Sequence, residues 1–127
     1  MMNIIIATHG KLGKELLSTA AMMTGPLAGV TAVGLEPECS LEEFSAQLNS
    51  ILKQSDNSQG SLILADLLGG TPANVAAGFS KHYKLQVVTG INLPMLLEVY
   101  LSRNGTDLQV LADLAVQAGT GAVRCLA

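Results

Sequence analysis

Asn3-Ile-Ile-Ile-Ala-Thr-His-Gly-Lys-Leu-Gly13 decides how this chain is read. Its uninterrupted isoleucine run is the pattern of a strand buried on both faces. The run stops at Thr8-His9-Gly10, and the residues beyond it take up helical spacing. A histidine placed there stands at the rim of a sheet, half in solvent, where open α/β sheets do their chemistry. A lone histidine at a strand end is more often structural. The rest of the chain has to decide.

Working outward, Lys11 to Thr24 carries Leu12, Leu16, Leu17, Ala20 and Met23 at helical intervals, and Gly25-Pro26 stops it. Met22 and Met23 read as core or interface filler. Gly29 to Leu35 is a modest second strand, followed by the loop Glu36-Pro37-Glu38-Cys39. Ser40 and Glu43 have the spacing of a capping box, opening a helix with Phe44, Leu48, Ile51 and Leu52 on one side. That helix ends in the polar turn Gln54 to Gly60. Ser61-Leu-Ile-Leu-Ala-Asp66 is a third apolar strand ending in a carboxylate.

Leu67-Leu68-Gly69-Gly70 is a loop, with Thr71-Pro72 fitting an N-cap and a proline at the first helical position. The helix it opens runs to about Tyr83. Leu85 to Gly90 is the fourth strand, and Ile91-Asn92-Leu93-Pro94 leads into a helix through Leu101. A last amphipathic helix, Asp107 to Ala118, precedes Gly119-Thr-Gly121 and the apolar tail Ala122 to Leu126, a candidate fifth, edge strand. Strands alternating with helices mean βαβ units and a mostly parallel sheet. In the 2-1-3-4 order of flavodoxin-like folds, the switch point falls between strands one and three. His9 and Asp66 end those two strands.

At 127 residues the chain reads as one domain, residues 1–127. Hydrophobic residues make up 49% and charged residues 13%, so a large aliphatic core or a partner-facing apolar surface is expected. A net charge of -3 argues against a nucleic-acid surface. No apolar run spans a membrane and no signal peptide opens the chain, which points to a cytoplasmic protein. Cys39 and Cys125 lack metal or disulfide spacing and read as incidental.

An imidazole and a carboxylate at adjacent strand ends can pair. The carboxylate then fixes the tautomer and leaves the other ring nitrogen as nucleophile or base. Gly69-Gly70-Thr71-Pro72 runs into a helix N-terminus, a backbone environment suited to phosphate. Together these suggest phosphoryl chemistry on His9. Each part also has a plain structural reading: an Asx-type cap for Asp66, turn chemistry for the glycines, an ordinary helix start for Thr71. His82 reads as surface beside Lys81 and Lys84, and Lys11, Lys14 and Arg103 read as solvated. A receiver domain would need an acidic pair after the first strand, where Ala7-Thr8-His9 stands. No GxGxxG follows that strand, no Walker loop is present, and no cluster of metal ligands is spaced in the sequence.

Ile4 to Gly10, Asp66-Leu-Leu-Gly-Gly-Thr-Pro-Ala-Asn74 and Val88-Thr-Gly-Ile-Asn-Leu-Pro-Met-Leu-Leu-Glu98 resemble the EIIA domain of mannose-family (mannose, fructose, sorbose) sugar phosphotransferase systems. The resemblance covers essentially the whole chain. It implies a type-4 EIIA domain that is a phosphohistidine carrier, accepting a phosphoryl group from HPr on His9 and passing it to an EIIB component. From there it reaches a sugar through the membrane subunits EIIC and EIID, with no bound cofactor. It further implies that Asp66 orients His9, that Thr71 and the amides around Gly69 and Gly70 hold phosphate, and that a homodimer exchanges the C-terminal strand. The chain ends at Ala127, so EIIB is expected as a separate protein. Position 68, often aromatic in the family, is leucine here. The alternatives are the related EIIA-like subunit of dihydroxyacetone kinase systems and a non-catalytic binding module of the same fold.

Overall fold

A computed structural model describes all 127 residues. It contains β1 (Asn3–His9), α1 (Leu12–Thr24), β2 (Val30–Leu35), α2 (Leu41–Gln54) and β3 (Ser61–Ala65). Then come α3 (Thr71–Gly78), a 3-10 turn (Phe79–Lys81), β4 (Leu85–Val88), α4 (Leu93–Ser102) and α5 (Leu108–Gly121). The four strands are all parallel, in the order β2-β1-β3-β4. That is the expected doubly wound arrangement. No helix is long and apolar enough to cross a membrane.

The isoleucine run explains why β1 sits in the middle. Alternate residues of a strand face opposite sides of the sheet. Ile4 and Ile6 pack with Leu62, Leu64 and the inner faces of α1, α4 and α5, whereas Ile5 and Ala7 pack with Ile63, Phe44, Leu48 and Leu52 under α2 and α3. Ile4, Ile5 and Ile6 are all fully buried, each contributing about 1.5–3 kcal/mol relative to exposure. The capping box forms as read: the Glu43 N–H donates to Ser40 Oγ at 3.1 Å and the Ser40 N–H to Glu43 Oε1 at 3.4 Å.

The register places the rim. Ala7 pairs with Ala65 and His9 with Leu35, so the residue after β3, Asp66, falls beside the end of β1. The turn after β1 is seated on β2, where the Gly10 N–H donates to the Leu35 carbonyl at 2.8 Å. A Cβ on Gly34 would overlap the Gly10 carbonyl oxygen, which makes glycine obligatory at this close approach. Gly34→Ala is expected to cost about 3 kcal/mol by overpacking. Its melting temperature should fall by about 10 °C. An unchanged melt would mean the turn yields freely.

Several expectations need correcting. Gly119-Thr-Gly121 is the last turn of α5 rather than a break. The Thr120 hydroxyl donates to the Val116 carbonyl at 2.7 Å, and the Gly119 carbonyl accepts from Asn92 Nδ2 at 3.0 Å. Tertiary contacts thus override the low helix propensity of glycine. The tail Ala122–Ala127 forms no strand within its own chain and is exposed, so the sheet has four strands, not five. Met22 and Met23 are exposed, Met22 at 85%, and belong to no core. Arg103 is buried, at 5% exposure, instead of solvated: its guanidinium donates to the Ala28 carbonyl and lies 5.0 Å from the centre of the Tyr100 ring. His82 is exposed, Cys39 half-buried and Cys125 exposed.

Candidate active site

The carboxyl end of the sheet brings His9 and Asp66 together. His9 Nδ1 and Asp66 Oδ2 are 2.9 Å apart, and the His9 backbone N–H donates to the same oxygen at 3.0 Å. One carboxylate oxygen therefore serves both the ring and the main chain of one residue. The chain has 7 Lys and Arg and 10 Asp and Glu, yet this is its one pair of basic and acidic side chains within 4.0 Å. The pairing is specific, not a by-product of crowded charge. In the neutral ring, a hydrogen bond to the ionised carboxylate requires the proton on Nδ1, and Nε2 then keeps its lone pair. The His9 side chain is 46% exposed and the Asp66 side chain 13%.

Burial is the largest influence on the Asp66 carboxyl and by itself raises its pKa. The hydrogen bonds from the His9 ring and backbone N–H, with the attraction of the His9 charge, together outweigh it and hold the carboxyl below the ordinary aspartate value. A depressed pKa in the folded state means the unfolded chain binds the proton more readily. The pair's contribution is fully present above the unfolded value and is lost as pH falls through the folded one. Urea unfolding between about pH 5 and pH 2 should thus show the parent losing stability faster than Asp66→Asn. Parallel pH profiles for the two proteins would contradict this assignment.

The third side of the site is the start of α3. Gly70, not Thr71, is the N-cap, with φ -77° and ψ 160°, and no side chain caps this helix. Thr71 and Pro72 are the first helical residues, so the Thr71 hydroxyl is not used in capping. The Gly70 N–H is bonded to the Leu67 carbonyl and the Asn74 N–H to the Gly70 carbonyl, leaving the Thr71 and Ala73 amides free at the positive end of the helix dipole. Gly70 is pressed against the imidazole: a Cβ there would lie 2.9 Å from His9 Cε1. Gly69 turns the chain at φ +83°, and its carbonyl accepts from Asn74 Nδ2 at 3.3 Å.

An open groove of about 480 Å³ runs beside the ring, with His9 and Thr71 on one side and Leu35, Glu36, Pro37 and Leu41 on the other. The β2–α2 loop thus forms a wall of the site, a role not read from the sequence. The strand order could have revealed it, because β2 neighbours β1 and its following loop must border His9. Lys11 and Lys14 are exposed near this rim, while Arg103 lies buried beside the α1–β2 loop and does not reach it. No three His, Cys, Asp or Glu side chains stand close enough to hold a metal ion.

The chain is similar to known proteins over most of its length. The family model described as PTS system fructose IIA component, EIIA-man, matches residues 3–116. The mannose-specific EIIAB component of Escherichia coli K12 is 34% identical over 97% of this chain, which spans only 39% of that protein's length. The fructose-specific EIIA component of Bacillus subtilis is 30% identical over 89% of this chain and 78% of its own. The mannose/sorbose-specific IIA subunit from Enterococcus faecalis superposes with a TM-score of 0.92 at 36% identity, covering 99% of this chain and 95% of that one. On the match of the family model and the agreement of these relatives, the chain belongs to the mannose-type EIIA family of sugar phosphotransferase system components.

Proposed function

We propose that this protein carries a phosphoryl group on His9, taking it from HPr and passing it to an EIIB component during sugar uptake. The observation that carries the reading is the 2.9 Å contact of His9 Nδ1 with Asp66 in a ring that lines the open groove, which supports Nε2 as the nucleophile. The Nε2 lone pair attacks phosphorus as the bond to the donor nitrogen breaks, and that nitrogen keeps the bonding electrons. The Nδ1 proton stays on the ring, and the positive charge gained by the imidazole is balanced by Asp66. The free amides of Thr71 and Ala73, with the Thr71 hydroxyl, neutralise the phosphoryl oxygens, and the turn at Gly69 and Gly70 delivers them. The onward step reverses these roles with EIIB as acceptor, and EIIC and EIID lie further along the route.

Exposed leucines surround the site: Leu12, Leu41, Leu67 and Leu68 all open or precede helices on this rim. They give a protein partner an apolar contact around the transferred group. Incubation with phosphorylated HPr should give an acid-labile, alkali-stable label on this chain, discharged by an EIIB protein. Absence of labelling would overturn the reading, and labelling without discharge to any EIIB would favour a dihydroxyacetone kinase subunit.

The same reading includes a cytoplasmic homodimer. The exposed tail contains Val123 and Leu126, and β4 lies at a sheet edge with one side unpaired. A tail adding to the sheet of a second copy covers both features. Deleting residues 122–126 should then shift sedimentation from dimer to monomer or aggregate, and an unaffected dimer would contradict the exchange.

A further inference from the structure

The residue before the histidine is polar, and it is fully buried: Thr8 is 0% exposed. By the alternation of β1 it faces the same side as Ile4 and Ile6, beneath α1. Burying a hydroxyl there is costly unless it is bonded. Thr8 Oγ1 accepts the N–H of Gly13 at 2.9 Å. The N-cap position of α1 is Lys11, which makes no side-chain cap. A hydroxyl on the strand thus replaces the missing cap of the helix. Gly13 fits because it lacks a Cβ, which would lie 2.7 Å from Ile6 Cγ2 and 3.1 Å from Thr8 Oγ1.

This bond closes the turn that carries His9. Thr8 lies on one side of His9-Gly10-Lys11 and Gly13 on the other. The His9 N–H must reach Asp66 Oδ2 at 3.0 Å while its own ring reaches the same oxygen at 2.9 Å. Such a double contact tolerates little drift of the His9 main chain. We propose that Thr8 is a positioning residue for phosphoryl transfer at His9, its hydroxyl fixing the start of α1 so that ring and backbone meet one carboxylate oxygen together. Thr8 touches no substrate and acts through the turn. The inference rests on the phosphocarrier reading given above.

The test compares Thr8→Val, which keeps the shape and removes the acceptor, with Thr8→Ser, which keeps the acceptor and removes a methyl. At saturating phosphorylated HPr, Thr8→Val should transfer about tenfold or more slowly with an unchanged KM, and Thr8→Ser near the parent rate. Parent speed in Thr8→Val, or an equal loss in both variants, overturns the proposal in favour of simple packing. Should Thr8→Val fail to fold, Thr8→Ala against Thr8→Ser makes the same comparison. The ¹⁵N spectrum of the His9 ring gives a readout without any phosphoryl donor. Thr8→Val should raise the Nε2–H tautomer several-fold, and an unchanged ring in a folded Thr8→Val would overturn the positioning role. Failure of the parent to accept phosphate would instead sink the carrier reading and leave this ring measurement standing.

Discussion

His9→Gln should fold like the parent and take up no phosphoryl group from phosphorylated HPr. The side-chain amide of glutamine can donate to Asp66 Oδ2, so the carboxylate is not stranded. The replaced ring is 46% exposed, and substitutions at such positions shift stability by about 0.5 kcal/mol. What vanishes is the ring nitrogen with a lone pair. An amide nitrogen is no nucleophile, because its lone pair is shared with the carbonyl. Removing a nucleophile outright lowers transfer by on the order of 10⁴ or more. Intact mass after incubation with phosphorylated HPr reads the outcome, with a thermal melt as control. Labelling of His9→Gln at the parent rate would place the chemistry elsewhere, with Cys39 and Thr71 in the same groove as the candidates to examine.

Asp66→Asn should follow closely, through the lost charge and the tautomer it favours rather than the nucleophile. The carboxylate only accepts, so both the His9 N–H and Nδ1–H can point at it. One oxygen takes both, so an asparagine that keeps its oxygen there holds them without charge and places its NH₂ where Asp66 Oδ1 is buried without a partner. A neutral acceptor holds the Nδ1 proton less firmly than a carboxylate, so more of the ring carries its proton on Nε2, where it blocks attack. The substitution also withdraws the negative charge that balances the phosphorylated imidazole. Comparable replacement of an orienting aspartate costs about 10⁴ in rate, and here the exposed ring retains some freedom, so about 10³ is expected. Loss of the charged hydrogen bonds should destabilise the fold by about 2 kcal/mol at neutral pH. Transfer rates at saturating HPr, with urea melts, check both figures. A variant that transfers normally would remove Asp66 from the mechanism.

The sequence carried the central part of the fold because local pattern and global packing agree there. Ile4 to Ile6 and Leu62 to Leu64 can only be central strands, and Ser40 with Glu43 can only open a helix. From the strand order alone, His9 and Asp66 had to meet. Other features depend on residues far apart in the chain. Arg103 is held by a carbonyl 75 positions away and by its stacking on Tyr100, so a charge that reads as surface is buried. Gly119 stays helical because Asn92 and Met95 pack on it. Thr71 reads as a cap because the Thr-Pro pair commonly is one, whereas the cap falls one residue earlier on Gly70, Thr71 is itself the first helical residue, and its hydroxyl is left unused. The wall made by Glu36, Pro37 and Leu41 carries no motif and arises from topology alone.

In the proposed mechanism Asp66 holds Nδ1 and thereby dedicates Nε2 of His9 to the phosphoryl group. Phosphorylating ¹⁵N-histidine-labelled protein with phosphorylated HPr and locating the ³¹P–¹⁵N coupling in the His9 ring shows which nitrogen takes the group. Coupling to Nε2, with Nδ1 still protonated, is the expected result. Coupling to Nδ1 would contradict it.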